Sequence, residues 1–331
     1  MHNPWLYPQT MVRFTVLASG SKGNSTVVSG GRTRILVDCG LSCKELFRRM
    51  RLAGEAPETL DAILITHEHS DHVNGITVTA RKLGIPVYFT EGTHRAWMRW
   101  LTPRRQMTYA QWLEQCRKQA AERQAETEPA AAEADMEEAD LIPETVVDAE
   151  APEQAVASPA KDPTWLPAVQ YFQAGEPFEI GDIAISPFTI PHDAADPVGF
   201  VFQAEGVRMG FATDLGYVSP NVRVQLKGVD LLLLESNHDL EMLRDGPYPW
   251  SVKQRVLSRV GHLSNEAAAG FLEDGYDGQA AYVILAHLSE SNNLPELARV
   301  AAERALSGRA SLLANRLMLA EQNEPLSSIY F

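Results

Sequence analysis

Apolar residues recur along the chain in two alternating regimes. RFTVLA and RILVDCG are short β-branched runs flanking the turn-rich GSKGNS, and they predict two strands joined by a tight connection. AILITHEH is an apolar run that ends abruptly in polar residues. VNGITVTARKLG follows with helical spacing, and PVYFT predicts the next strand. Further along, FEIGDIAISPFTIPHD, GFVFQAEG, VRMGFATDLG and VDLLLLESNHD give four more strand signals separated by turns. SNEAAAGFLEDG predicts a helix with Ser264 or Asn265 as N-cap, AYVILAHLS a buried strand, and LPELARVAAERALSG a further helix. Two runs of strands, each with its own helices, predict an α/β sandwich of two mixed sheets with helices outside.

The segment between the two runs breaks this pattern. From about 117 to 163 the chain is rich in Ala, Glu and Pro and carries no strand alternation. It reads as a solvated insertion, helical where Ala and Glu dominate, or as the docking site of an unknown partner. The net charge of -14 would argue against a polyanionic partner. Yet Ala121 to Pro163 holds 13 Asp/Glu against Arg123 and Lys161, a net of -11, which leaves about -3 for everything else. Acidity is therefore mostly a property of that one segment and says little about the remaining surface. Hydrophobic residues make up 45%, enough for a buried core rather than a disordered chain. Three cysteines (Cys39, Cys43 and Cys116) are too few and too odd in number for a disulfide framework, which fits a reducing cytoplasm. The start MHNPWLYPQTMVRF has no signal-peptide pattern, and no apolar run is long enough to span a membrane.

Candidate chemistry concentrates in Thr66-His67-Glu68-His69-Ser70-Asp71-His72, directly after a buried strand. In extended chain, residues two apart face the same way, so His67 and His69 can grip one metal ion. Once the chain turns, Asp71 and His72 reach a second. Neutral imidazole with carboxylate suits zinc, manganese or iron. Position 71 is Asp, so this is not the helical H-E-x-x-H pattern. Two ions need more ligands, and His192 in TIPHDA, Asp214 in FATDLG and His287 in AYVILAH each leave an apolar run as a polar ligand type. A carboxylate at 214 can bridge both ions.

The order H-x-H-x-D-H, then His192, Asp214 and His287, with Asp38 upstream in LVDCG, resembles the metallo-β-lactamase superfamily. The stretches VLASGSKGNST, ITHEHSDHVNGI, LLESNHD, YPWSVKQRVLSRVGHLSNEAAA and AHLSESNNLPEL are more specific and resemble its WalJ/YycJ-like subfamily. The resemblance implies a four-layer αββα sandwich over 11–331, interrupted by the acidic insertion, with a two-metal site at the sheet edges. It implies His67, His69 and His192 on the first ion, Asp71, His72 and His287 on the second, Asp214 between them, and Asp38 orienting the His-rich loop from behind. It further implies a phosphodiesterase, foremost a 5′-to-3′ DNA exonuclease using a hydroxide held between two Zn2+ or Mn2+ ions. Asp at 214 resembles the phosphodiesterase and thioesterase branches rather than the lactam-cleaving ones, so a small-molecule hydrolase of glyoxalase II or lactonase type is the alternative.

In that chemistry Asp71 or Asp214 accepts a proton from the attacking water. His262 in GHLSN is the candidate general acid or phosphate contact, with His238 in ESNHD second. The loop Gly20 to Ser25 either offers backbone N–H groups and Lys22 to a phosphate, near Asn24, or is only a tight turn. Ser289 and Asn292 are placed at the cleft by their closeness to His287. Lys253, Arg255 and Arg259 could meet a nucleic-acid backbone. His94, near Trp97 and Trp100, reads as structural, and Cys39 as a buried small residue.

Overall fold

A computed structural model describes residues 11–102, 117–118, 162–307 and 316–331. The chain divides into two units, Met1–Leu101 with Pro163–Phe331, and Thr102–Asp162. The acidic segment at about 117–163 lies almost wholly outside the described residues.

Among its described residues the first unit holds two seven-stranded sheets. One runs β14 (Ile329–Tyr330), β1 (Arg13–Ala18), β2 (Ser25–Ser29), β3 (Arg34–Val37), β4 (Ala62–Leu64), β5 (Val87–Phe89) and β6 (Val169–Tyr171). The other runs β13 (Arg316–Leu319), β12 (Tyr282–Ala286), β11 (Leu231–Glu235), β10 (Val207–Ala212), β9 (Val198–Ala204), β8 (Ile183–Thr189) and β7 (Phe178–Ile180). Both sheets are mixed. β3, β4, β5 and β6 are mutually parallel, as are β10, β11, β12 and β13, while the other neighbours pair antiparallel.

Side-chain alternation sorts the core into layers. On β11, Leu231 and Leu233 face the space between the sheets, while Leu232 and Leu234 face the helices outside. On β3, Ile35 and Val37 point inward and Leu36 outward. A strand buried on both faces has no polar side to show, which is why LLLLE reads as a continuous apolar run. The three buried clusters, one between the sheets and one beneath each outer helical layer, make the four-layer αββα sandwich expected from the sequence. Among the described residues no helix is long and apolar enough to cross a membrane.

Helices Ile76–Leu83, Asn265–Gly270 and Pro295–Ser307 fall where the periodicity places them, and Ser264 rather than Asn265 caps the second by accepting from Ala267 N. That helix continues into a π-helical turn, Phe271–Gly275. Helices Cys43–Leu52 and Glu91–Leu101 were not anticipated, although the first buries Cys43, Leu46, Phe47 and Met50 at helical spacing and the second Thr93, His94 and Trp97. His94 is buried in the second of these, stacked on Phe89 with ring centroids 4.9 Å apart and bonded through Nδ1 to the Tyr171 hydroxyl at 2.7 Å, a packing role.

Candidate metal centre

Parallel strands bring their carboxyl ends to one edge, and the side chains just beyond those ends converge there. Asp38 follows β3, the His-rich segment follows β4, His192 follows β8, Asp214 follows β10, Glu235 ends β11, and His287 follows β12. Three of these turning points, Asp38 (φ 59°), Asp214 (φ 59°) and His287 (φ 58°), are non-glycine residues in the left-handed region. Asp and His tolerate that region better than most residues, yet each still costs on the order of 1 kcal/mol. Such strain persists only where surrounding bonds impose the turn.

The segment after β4 behaves as its spacing predicts. His69 has an extended backbone (φ -62°, ψ 147°), and Ser70–Val73 then forms one helical turn that redirects Asp71 and His72. Tight backbone contacts hold that turn. Asn24 N donates to Asp71 O at 2.7 Å and Cys39 N to His72 O at 2.8 Å. Gly40 lies so close that a Cβ there would sit 1.6 Å from Asp71 O, so only glycine fits.

Two donor sets result. In one, ligand atoms of His67, His69 and His192 lie within 4.8 Å of one another, with His192 Nε2 3.2 Å from His69 Nδ1. His192 Nδ1 donates to Gly261 O at 3.1 Å, which leaves Nε2 as the lone-pair nitrogen. In the other, Asp71 Oδ2 is 3.3 Å from His72 Nε2 and 3.4 Å from His287 Nε2. Asp214 Oδ2 lies 3.4 Å from His72 Nε2, and a set of His67, His72 and Asp214 links the two groups.

The chemistry of these sets fits divalent cations. His67 Nε2 and Asp214 Oδ2 are buried without a hydrogen-bond partner, a costly state for a polar atom. Asp38, Asp71, Asp214 and Glu235 gather at one place, three of them buried. Burial opposes charge on His72 and His287, but the carboxylates around them, Asp214 foremost, hold both imidazoles well above their usual range. Burial pushes His67 the other way, well below it, as neutral ligation requires. The site thus calls for positive charge from imidazolium or from bound ions.

Behind the donors stand two carboxylates. Asp38 accepts from Thr66 N at 2.9 Å through Oδ1 and from His72 Nδ1 at 2.8 Å through Oδ2, so His72 presents Nε2. Glu235 was not foreseen. Its Oε1 accepts from His262 Nδ1 at 2.8 Å and His287 Nδ1 at 2.9 Å, and its Oε2 from Leu215 N at 2.9 Å and Leu263 N at 3.0 Å. One fully buried side chain therefore orients two histidines and ties down the turns that carry Asp214 and His262. A charge ending the apolar run LLLLE was the available signal. Glu68, also unforeseen, accepts from Ala195 N at 2.8 Å and anchors the loop of His192.

The donors open onto a cleft of about 380 Å³. Asp71, Asp214, His262 and Ser289 line it, together with Ser21, Asn237, Tyr248 and Arg255. Other expectations fare differently. His238 is buried and does not line the cleft, and Asn292 is buried behind Ser289, whose Oγ accepts from Asn292 N at 3.2 Å. Asn24 is at the site itself, its Nδ2 3.0 Å from Asp71 Oδ2. The loop around Lys22 is a turn: Gly20 N donates to Asn24 Oδ1, Lys22 N to Gln322 Oε1 and Gly23 N to Gly20 O. Lys22 itself pairs with Glu290 in solvent. Of the three basic residues near 255, Lys253 donates to Arg244 O at 2.6 Å and Arg259 sits 4.5 Å over the Tyr217 ring, so Arg255 alone reaches the cleft. Cys39 is buried beside Thr79, and burial pushes its thiol up to about 12, which rules out a resting nucleophile.

Comparison with known proteins agrees with this geometry. The chain matches the profile of the Metallo-beta-lactamase superfamily over residues 18–262. It is 34% identical over 295 residues to exodeoxyribonuclease YycJ of Bacillus anthracis, covering 89% of each chain. It is 33% identical over 288 residues to exodeoxyribonuclease WalJ of Streptococcus pneumoniae, covering 87% of this chain and 86% of that one. In fold it is similar to the metallo-beta-lactamase fold protein YhfI of Bacillus subtilis, with a TM-score of 0.58 at 15% identity and coverage of 96% and 99%. Zn(2+)-bound PqqB of Methylobacterium extorquens gives a TM-score of 0.56 at 15% identity, covering 95% and 99%. With its sandwich, its strand-end donors and these matches taken together, the chain belongs to the metallo-β-lactamase superfamily, alongside YycJ and WalJ.

Proposed function

We propose that this protein is a metal-dependent exodeoxyribonuclease that hydrolyses phosphodiester bonds in the 5′-to-3′ direction. The observation that carries the reading is the 34% identity, over 89% of the chain, to a protein named for that class of activity. The complete set of strand-end donors supports it. His67, His69 and His192 would hold one ion, Asp71, His72 and His287 a second, with Asp214 between them. Their mixture of imidazole and carboxylate suits Zn2+ or Mn2+. Bound there, such ions acidify water, orient the scissile phosphate and neutralise its developing charge.

The side chains have separable tasks. Asp71 and Asp214 are the carboxylates placed to take the proton of the attacking water. Asp38 fixes the Nδ1 proton of His72, and Glu235 those of His262 and His287. With Nδ1 donating to Glu235, His262 turns Nε2 to the cleft; carrying a second proton there, as imidazolium, it contacts the phosphate or gives that proton to the leaving alkoxide. We read 11–331 as one domain acting on DNA in the cytoplasm, with the acidic segment inserted in it as a solvated insertion or, as the second reading, a site for a further partner.

The test is digestion of 5′-labelled double- and single-stranded DNA with manganese or zinc, beside a thioester assay. Mononucleotide release by the wild type and its loss by more than a hundredfold in Asp71→Ala is the expected result. Thioester turnover without DNA cleavage would overturn the reading in favour of a small-molecule hydrolase. His262→Ala should retain both ions and lose turnover about a hundredfold.

A further inference from the structure

One wall of the cleft is chemically unlike the rest. Tyr248, Val252 and Val256 line it at spacings of four residues, leading into and along helix Trp250–Val256. Val252 and Val256, one helical turn apart, share one face of that helix, and Tyr248, just before its N-cap Pro249, adds an aromatic ring to the same cleft lining. All three are only partly buried, so this wall is open to the cleft rather than consumed in the core. The other lining residues present carboxylates, imidazoles and the hydroxyls of Ser21, Ser70 and Ser289.

Arg255 stands beside this wall. Its Nε bonds one oxygen of Asp193, and its Nη2 lies 3.1 Å from the other. Asp193 follows His192 directly, so this fork fixes the guanidinium next to the donor cluster. Two of the five guanidinium N–H groups are engaged, and three remain for a ligand. Among the described residues lining the cleft, Arg255 is the one Lys or Arg. It also neutralises Asp193, whose bare carboxylate would repel an anion at the rim.

We propose that this wall is a nucleoside-binding subsite: Tyr248 stacks on a base, Val252 and Val256 pack against its deoxyribose, and Arg255, positioned by Asp193, holds the phosphate adjoining the scissile one. The inference rests on the phosphodiesterase reading above and names the part of the substrate that the metal donors do not touch. An amphipathic ligand is required, since an aromatic and aliphatic wall beside a single fixed cation matches a nucleotide and not a small acyl ester.

Two diesters with the same leaving group isolate the subsite. Thymidine 5′-(p-nitrophenyl phosphate) carries a nucleoside, and methyl p-nitrophenyl phosphate does not. Tyr248→Ala should lower the ratio of kcat/KM between them about tenfold, with Tyr248→Phe keeping it, because stacking and not the hydroxyl is used. Arg255→Ala should weaken binding of a fluorescent, cleavage-resistant phosphorothioate oligodeoxynucleotide to the metal-loaded protein about tenfold, and Arg255→Ala/Asp193→Asn should recover part of that loss. An unchanged ratio in Tyr248→Ala, or unchanged affinity in Arg255→Ala, with wild-type DNA cleavage intact, overturns the subsite alone. Wild-type protein that turns over neither diester and binds no oligonucleotide overturns the phosphodiesterase reading and the subsite together.

Discussion

Replacing Glu235 by Gln tests how the metal centre is held without changing side-chain size. The carboxylate accepts four hydrogen bonds, two at each oxygen, from His262 Nδ1, His287 Nδ1, Leu215 N and Leu263 N. An amide keeps one acceptor oxygen and turns the other position into a donor. If its NH2 faces Leu215 and Leu263, two buried backbone N–H groups lose their acceptor, at about 1–3 kcal/mol each. If it faces the imidazoles, both rings must move their proton from Nδ1 to Nε2. The second arrangement leaves no buried backbone donor unmet, so it wins. Its consequence is specific: a proton on His287 Nε2 occupies the atom that faces Asp71 at 3.4 Å. Glu235→Gln should therefore fold and lose about 10–100-fold in affinity for one of two ions, the scale of losing a partner behind a ligand. Metal content after dialysis, with chelator competition for affinity and urea unfolding for stability, reads all three quantities. Two ions bound at wild-type affinity would refute the reasoning, whatever happened to stability.

Packing and burial set two further perturbations. Gly40→Ala drives a Cβ into Asp71 O and into Asn24 N, so it should cost more than about 3 kcal/mol and release metal. Gly84→Ala, at a left-handed helix end with open space around it, should cost only about 1 kcal/mol and keep metal; urea unfolding and metal analysis of the two variants make the comparison. His238 is buried, and burial holds it down at about 4. The unfolded chain then binds the extra proton between about pH 6.5 and 4, so metal-free stability should fall as pH drops through that window, by up to about 3 kcal/mol from this residue. Urea unfolding of the metal-free protein at pH 7 and 5 should show a smaller loss for His238→Gln than for wild type, and an equal loss would rule the assignment out.

The sandwich class was legible in the residues alone, and so were most of the side chains that the fold gathers at its strand ends. Local physics governs both. Strands buried on two faces are written as unbroken apolar runs, as in Leu231–Glu235, and a polar ligand type emerging from such a run stands out against it. His67, His69, Asp71 and His72 were legible as a pair of donor groups because one backbone, extended and then helical, places all four. Relations between segments far apart in the chain were not legible there, because folding alone sets them. Glu235 gains its role because β10, β11 and β12 run parallel, which stacks Asp214, Glu235 and His287 at one edge. Lys22 and His238 share residue types with real cleft residues, yet an ion pair with Glu290 and full burial take them elsewhere. Arg255, one of three similar cations in sequence, alone meets the cleft because Arg244 O captures Lys253 and the Tyr217 ring captures Arg259. Residue type and local periodicity specify which side chains can do chemistry. Strand order and packing specify which of them face the same water.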